Sequence, residues 1–181
     1  MRLWCLLLLA LLSAAAHADE QVEICYNWGC QTRAVVVFDV NDLLCIADLF
    51  EGADTPALER SAIALAIGLM ERIAGQQTPT RNDRGGNLAD DGVEGRMDCI
   101  DHSHNTTAYL RLLERRGLLR FHQVLEPVER APWLLDVHWA AHIRERASGA
   151  EYVVDSWFFD NGEPAAVFTL QEWKKGAQPH G

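Results

Sequence analysis

The sequence predicts an α+β fold, helices packed on a C-terminal antiparallel sheet, and three observations carry that expectation. Apolar residues recur with helical spacing in TPALERSAIALAIGLMERIAG and again after Cys99. The last third of the chain changes to a two-residue period in LLDVHWAAHIRE, EYVVDSWFF and AAVFTLQEW. The turn formers RASG and Asp160-Asn161-Gly162 separate these three runs, as in a meander. No internal repeat or low-complexity tract interrupts the order.

The first residues fix the expected compartment. MRLWCLLLLALLSAAAHA has one positive charge at Arg2, an apolar core from Leu3 to Leu12, and Ala16 and Ala18 in the A-x-A pattern of a cleavage site. Residues 1–18 are therefore expected to be a signal peptide, and the mature chain to start at Asp19 as an exported, periplasmic or secreted protein. The apolar core is shorter than the roughly 20 residues of a spanning helix, and no later segment reaches that length, so no transmembrane segment is expected in the mature chain. The formal charge is −10, from 16 basic and 26 acidic residues, and loss of Arg2 makes it −11. Such a surface repels phosphate backbones and excludes nucleic acid as a partner. Residues 19–181 fit a single domain, large enough to bury most of its apolar surface without depending on disulfides.

Each element has a local reason. Cys25 and Cys30 flank Tyr-Asn-Trp-Gly, a turn-capable insert, and are expected to form a disulfide. The four cysteines after the leader allow three connectivities, and Cys45 with Cys99 is the competing pair in an oxidising compartment. AVVVF, 34–38, reads as a buried strand. Asn41 or Asp42 caps a short helix, DLLCIADLF, that Gly52 ends. The long helix has Thr55 as cap, Pro56 at its first position and Gly75 at its end. Its stripe is Leu58, Ala62, Leu65, Ala66, Leu69 and Ile73, widened by Ile63, Ile67 and Met70. From Gln76 to Met97 the chain is polar and glycine-rich without apolar period, as functional or mobile loops are.

The chemistry gathers around DCIDHSHNT. Asp98 and Asp101 have capping-box spacing, which makes Cys99 the first helical residue, ahead of a stripe of Ala108, Tyr109, Leu112 and Leu113 that ends at Gly117. A thiol at the positive end of a helix dipole is favoured as thiolate, whereas flanking carboxylates oppose it, so a nucleophilic Cys99 needs a histidine with its own orienting acceptor. If 146–149 forms a four-residue turn, Asp155 lies opposite Ala140, on one face with His138 and His142. Each histidine is then a diagonal neighbour of Asp155, within side-chain reach, and the register does not choose between them.

Other readings of these residues are structural. His102 and His104 read as solvated residues of a first helical turn, and Asp98 as only a cap. Asn105-Thr106-Thr107 matches a glycosylation acceptor by chance within a helix, and Asp90, Asp91 and Glu94 lack ordered calcium-ligand spacing. Trp133, Trp139, Trp157 and Trp173 read as packing residues. HWAAH with Cys99 and Asp155 has the ligand types of a zinc site, but Ala140 stands where the helical two-histidine motif has glutamate, and the alternation says strand. No metal or cofactor is expected.

A cysteine opening a helix, a histidine followed by Trp on one strand, and an aspartate on the next, in DCIDHSHNT, VHWAAHI and YVVDSWF, resemble the core of the transglutaminase-like branch of the papain-like thiol enzymes. The match covers roughly residues 95 to 160, in chain order and element type. The resemblance implies Cys99 as nucleophile, His138 as general base and Asp155 as the residue orienting it. It implies acyl transfer on amides or esters without a cofactor, with peptide or cell-envelope amides as the substrates that export suggests. The rival expectation is a non-enzymatic exported binding or assembly module with Cys99 in a disulfide.

Overall fold

A computed structural model describes residues 18–86, 88–131 and 137–179. Residues 1–17 of the expected leader, Trp133 and Leu134 to Asp136 lie outside them. Four α-helices and antiparallel sheets make up the described chain, which is the α+β expectation at that level.

The chain opens on a two-stranded ribbon, β1 (Glu20–Tyr26) and β2 (Thr32–Phe38), in which Val22 pairs with Val36 and Ile24 with Ala34. Val22, Ile24, Val36 and Phe38 point into the core while Val35 and Val37 face out, so AVVVF is half-buried rather than fully buried. The sequence reading missed β1. Helix α1 (Val40–Asp48) is capped by Asp39, whose side chain accepts from the Asp42 N–H, so neither Asn41 nor Asp42 is the cap. Asp42 instead returns the bond to the Asp39 N–H at 3.1 Å, completing a capping box.

Helix α2 (Pro56–Gln77) starts as expected, with Thr55 as cap and Pro56 first, but runs past Gly75 to a close at Thr78, whose hydroxyl donates to the Ala74 carbonyl. Gly75 has a packing reason rather than a capping one: a Cβ there would lie 2.7 Å from Asn161 Oδ1 and 3.1 Å from the Arg81 backbone. The buried face runs through Ala62, Ile63, Ala66, Ile67, Met70 and Ile73, whereas Leu58 and Leu65 are 48% and 47% exposed. Glu59 is buried in their place because its carboxylate accepts the N–H groups of Arg120, Phe121 and His122 and the His122 ring. That network pins the entry to the sheet, and it holds the Glu59 carboxyl below its usual range: burial pushes upward, but the bonds from His122 and the backbone outweigh it.

The expected loop of 76–97 contains a 3₁₀ turn, Pro79–Asn82, and folds back so closely that a Cβ on Gly95 (φ +86°) would sit 2.0 Å from the Pro79 carbonyl oxygen. It delivers the chain to α3 (Cys99–Arg115). The sheet follows: β3 (His122–Val124), β4 (Val128–Arg130), β5 (His138–Glu145), β6 (Glu151–Asp155) and β7 (Ala166–Thr169), in the order β3-β5-β6-β7 with β4 also on β5. β3 and β4 occupy the same side of β5 in tandem, separated by residues 125–127 with a register offset of one residue. Ala141 pairs with Val154 and His142 with Val153, which is the register drawn from the four-residue turn. One sheet face packs Ala141, Ile143 and Val154 into the main core with Tyr109, Leu110 and Leu113 of α3. The other packs Ala140 and Val153 on Trp173. The run AAVFTLQEW is not one strand, because Thr169 ends β7 and caps α4 (Leu170–Lys174), which carries Trp173. Among the described residues no helix is long and apolar enough to cross a membrane.

Candidate active site

Three chain segments meet at one end of the sheet. Asp98 accepts from the Asp101 N–H at 2.9 Å and Asp101 accepts from the Asp98 N–H at 3.2 Å, so the expected capping box is formed and Cys99 is the first residue of α3. His138 opens β5 and Asp155 closes β6, one diagonal step apart on the same sheet face. His138 Nε2–H donates to Asp155 Oδ2 at 2.8 Å. A carboxylate can only accept, so this bond fixes the proton on Nε2 and leaves Nδ1 as the ring's remaining polar atom. Cys99 interacts with the same imidazole. Burial opposes a charge on His138, but the bond to Asp155 and then the interaction with Cys99 outweigh it, and the pKa is pushed up to about 9.

Aromatic side chains fix the ring. Trp157, Phe158 and Trp173 lie 4.8, 5.7 and 5.8 Å from the His138 centroid, and His138 is 3% exposed. Asp155 is held in turn: Trp173 Nε1–H donates to its Oδ2 at 2.9 Å and the Trp157 N–H to its Oδ1 at 3.3 Å. Trp173, expected only to pack, is thus also a donor to the carboxylate, for which no motif in the sequence gives a signal.

His142 does not join this group. It turns to Glu151, 3.5 Å away, and burial pulls its pKa below the ordinary value. The two histidines of HWAAH therefore do not converge together on Cys99 and Asp155. Among the described residues the grouping of three ligand atoms within 4.8 Å is Cys25, Cys30 and His104, and its two cysteines are joined to each other. The Cys25–Cys30 disulfide is formed as expected, and Cys45 and Cys99 are free thiols. Cys45 is exposed rather than held in apolar surroundings, because α1 turns Leu43 and Ile46 to the core and leaves the residues between them to solvent.

The disulfide loop is seated on the start of α3. Asn27, Trp28, Gly29 and Cys30 all have left-handed backbones, with φ from +56° to +68°. Three of these four are not glycine, a conformation that persists only where surrounding bonds over-determine it. Here the Trp28 and Cys30 N–H groups donate to Asp101 at 2.8 and 2.6 Å and the Gly29 N–H to Asp98 at 3.0 Å. Burial, with repulsion from Asp98, raises the Asp101 pKa to about 6 despite those bonds. Asn105, far from being a glycosylation acceptor, is buried and bonds both the N–H and the carbonyl of Cys25 at 2.8 Å.

His102, expected in solvent, is 2% exposed. Its ring bonds Asp83 at 3.0 Å through Nε2 and the Ser156 hydroxyl at 2.8 Å through Nδ1, with Glu71 at 3.6 Å. Burial disfavours charge there, but the bonds to Asp83 and Glu71 outweigh it and lift the pKa to about 10. The serine, histidine and aspartate resemble a relay, but Ser156 and Asp83 are as buried as the ring between them. Their role is to tie α2, the 76–97 segment, α3 and the residue after Asp155 together. His104 stays exposed as expected. No family model, curated protein or solved structure matches the chain.

Proposed function

We propose that the protein is an exported thiol-dependent acyl-transfer enzyme of transglutaminase-like or papain-like build, with Cys99, His138 and Asp155 as its catalytic triad. The observation that carries this reading is the His138 imidazole, bonded to Asp155 on one nitrogen, interacting with Cys99, and walled by three aromatic rings. His138 takes the thiol proton, and Cys99 Sγ adds to an amide or ester carbonyl carbon. The oxyanion that forms lies near the first turn of α3, where the Cys99 N–H has no acceptor within the helix. Collapse breaks the bond to the leaving group, which receives the proton from His138, and leaves a thioester. Water or an amine then gives a proton to His138, adds to the thioester carbon and releases the acid or a new amide, restoring the thiol. Asp155 orients the ring throughout and holds its charge.

Alkylation of Cys99 by iodoacetamide, read by peptide mass spectrometry, tests the assignment. His138→Ala is expected to abolish the excess reactivity of Cys99 over Cys45, Asp155→Ala to reduce it partly, and His142→Ala to leave most of it. Equal labelling of both cysteines in the folded wild type refutes an activated nucleophile, and loss on His142→Ala alone refutes the choice of His138.

A further inference from the structure

Two adjoining cavities make one groove along the exposed face of α3. The first, about 440 Å³, is lined by Ile100, Ser103, His104, Glu126, Pro127 and Trp139. Ile100 and Trp139 are the chain neighbours of Cys99 and His138, so this cavity is walled by the residues that follow the thiol and the imidazole. The second, about 360 Å³, shares His104, Glu126 and Pro127 with the first and continues past Ala108 and Arg111 to Arg115, against β1. The near end is apolar, with Ile100 40% exposed. The far end carries Arg111 and Arg115 together with Glu23 and Glu126, and its charges are unequally matched. Glu126 is paired with Arg111 and Glu23 with Arg33, whereas among the described residues no carboxylate pairs with Arg115.

Fifteen residues of helix separate Ile100 from Arg115, a span of about 22 Å, which an extended peptide covers in roughly six to seven residues. We infer that this groove binds the leaving-group side of a peptide substrate: an apolar side chain beside Cys99, and a carboxylate some six residues further on against Arg115. The inference rests on Cys99 being the reacting thiol and adds the substrate class. In a chain of net charge −10, an arginine with no carboxylate paired to it among the described residues is a local attraction for an anion. Glu126 and Pro127, in the break between β3 and β4, form the opposite wall.

The test uses bromoacetyl-Leu-Ala peptides of three to eight residues, each made with a free C-terminal carboxylate and as the amide, and also with the carboxylate on a glutamate side chain of an amidated peptide. Cys99 alkylation is followed by mass spectrometry and divided by the rate with bromoacetamide on the same variant. The expected result is an optimum at six or seven residues, at least tenfold faster for the carboxylate than for the amide, with the preference lost in Arg115→Gln and both forms slowed in Trp139→Ala. Retention of the preference by the amidated glutamate peptide identifies an acidic side chain, and its loss a terminal carboxylate. Equal rates for carboxylate and amide on the wild type, or an undiminished preference in Arg115→Gln, overturn the groove. Slow reaction with bromoacetamide itself instead overturns the thiol-enzyme reading. In that event the acetyl analogues, read by quenching of tryptophan fluorescence, decide the groove by the same carboxylate-to-amide comparison.

Discussion

Replacing Cys99 with alanine is expected to lower the titration midpoint of His138, and the structure sets the scale. The imidazole titrates near pH 9 rather than at the ordinary 6.5, because Asp155 and then Cys99 favour its charged form against the opposing effect of burial. A displacement of that size corresponds to about 3 kcal/mol between the two protonation states. Since the folded value is the higher one, this stabilisation is fully present below about pH 6.5 and lost as the pH rises through about 9. Cys99→Ala removes one of the two favourable partners and leaves the 2.8 Å bond to Asp155, so the midpoint falls by about one pH unit or more while the ring stays in place. Proton–carbon correlation spectra of the histidine ring, recorded from pH 5 to 11, read it directly. His102 is an internal reference, since its partners Asp83 and Glu71 are untouched and it titrates near pH 10 in both proteins. A wild-type His138 midpoint at 6.5, or one that stays at 9 in Cys99→Ala, refutes the coupling between thiol and imidazole.

Trp173→Phe removes one donor from a buried carboxylate and keeps most of the ring packing. It is expected to cost about 1–2 kcal/mol in urea unfolding and to slow Cys99 alkylation several-fold, and an unchanged alkylation rate would show that the indole N–H has no orienting role. Cys25→Ser opens a short covalent loop and is expected to lower stability by about 2 kcal/mol by the loop-entropy relation. It also frees the 27–30 backbone from Asp98 and Asp101, so amide exchange of Trp28 and Cys30 should accelerate well beyond the global change; uniform acceleration argues against local seating. His102→Ala leaves Asp83 and Glu71 buried without their cation and is expected to destabilise by about 3–5 kcal/mol. A calorimetric loss below 1 kcal/mol at pH 7 removes His102 from the support of α3.

The parts of this protein legible in the sequence were those governed by near neighbours. The capping box at Asp98 and Asp101, the Thr55 and Pro56 start, the Cys25–Cys30 pair and the β5–β6 register all follow from spacing within a few residues or across one turn. What stayed hidden was set by partners distant in the chain. His102 looks like a solvent residue until Asp83, Glu71 and Ser156 surround it, and Glu59 looks like a surface acid until three backbone N–H groups from 120–122 reach it. The end of AAVFTLQEW fails for another reason, since its apolar residues suit either a strand or one helical turn and only the Thr169 cap decides.

The bond from Trp173 to Asp155 places the last orienting donor of the site 74 residues beyond the thiol it serves, counted from Cys99. A chain made from its N-terminus presents Cys99 first, then His138, then Asp155, and only after residue 173 has emerged is the carboxylate fully held. Until then the half-built sheet exposes the pocket that Trp173 fills with Ala140 and Val153. In the proposed enzyme, therefore, the residue that orients the base is fully held only after both the thiol and the imidazole have been made.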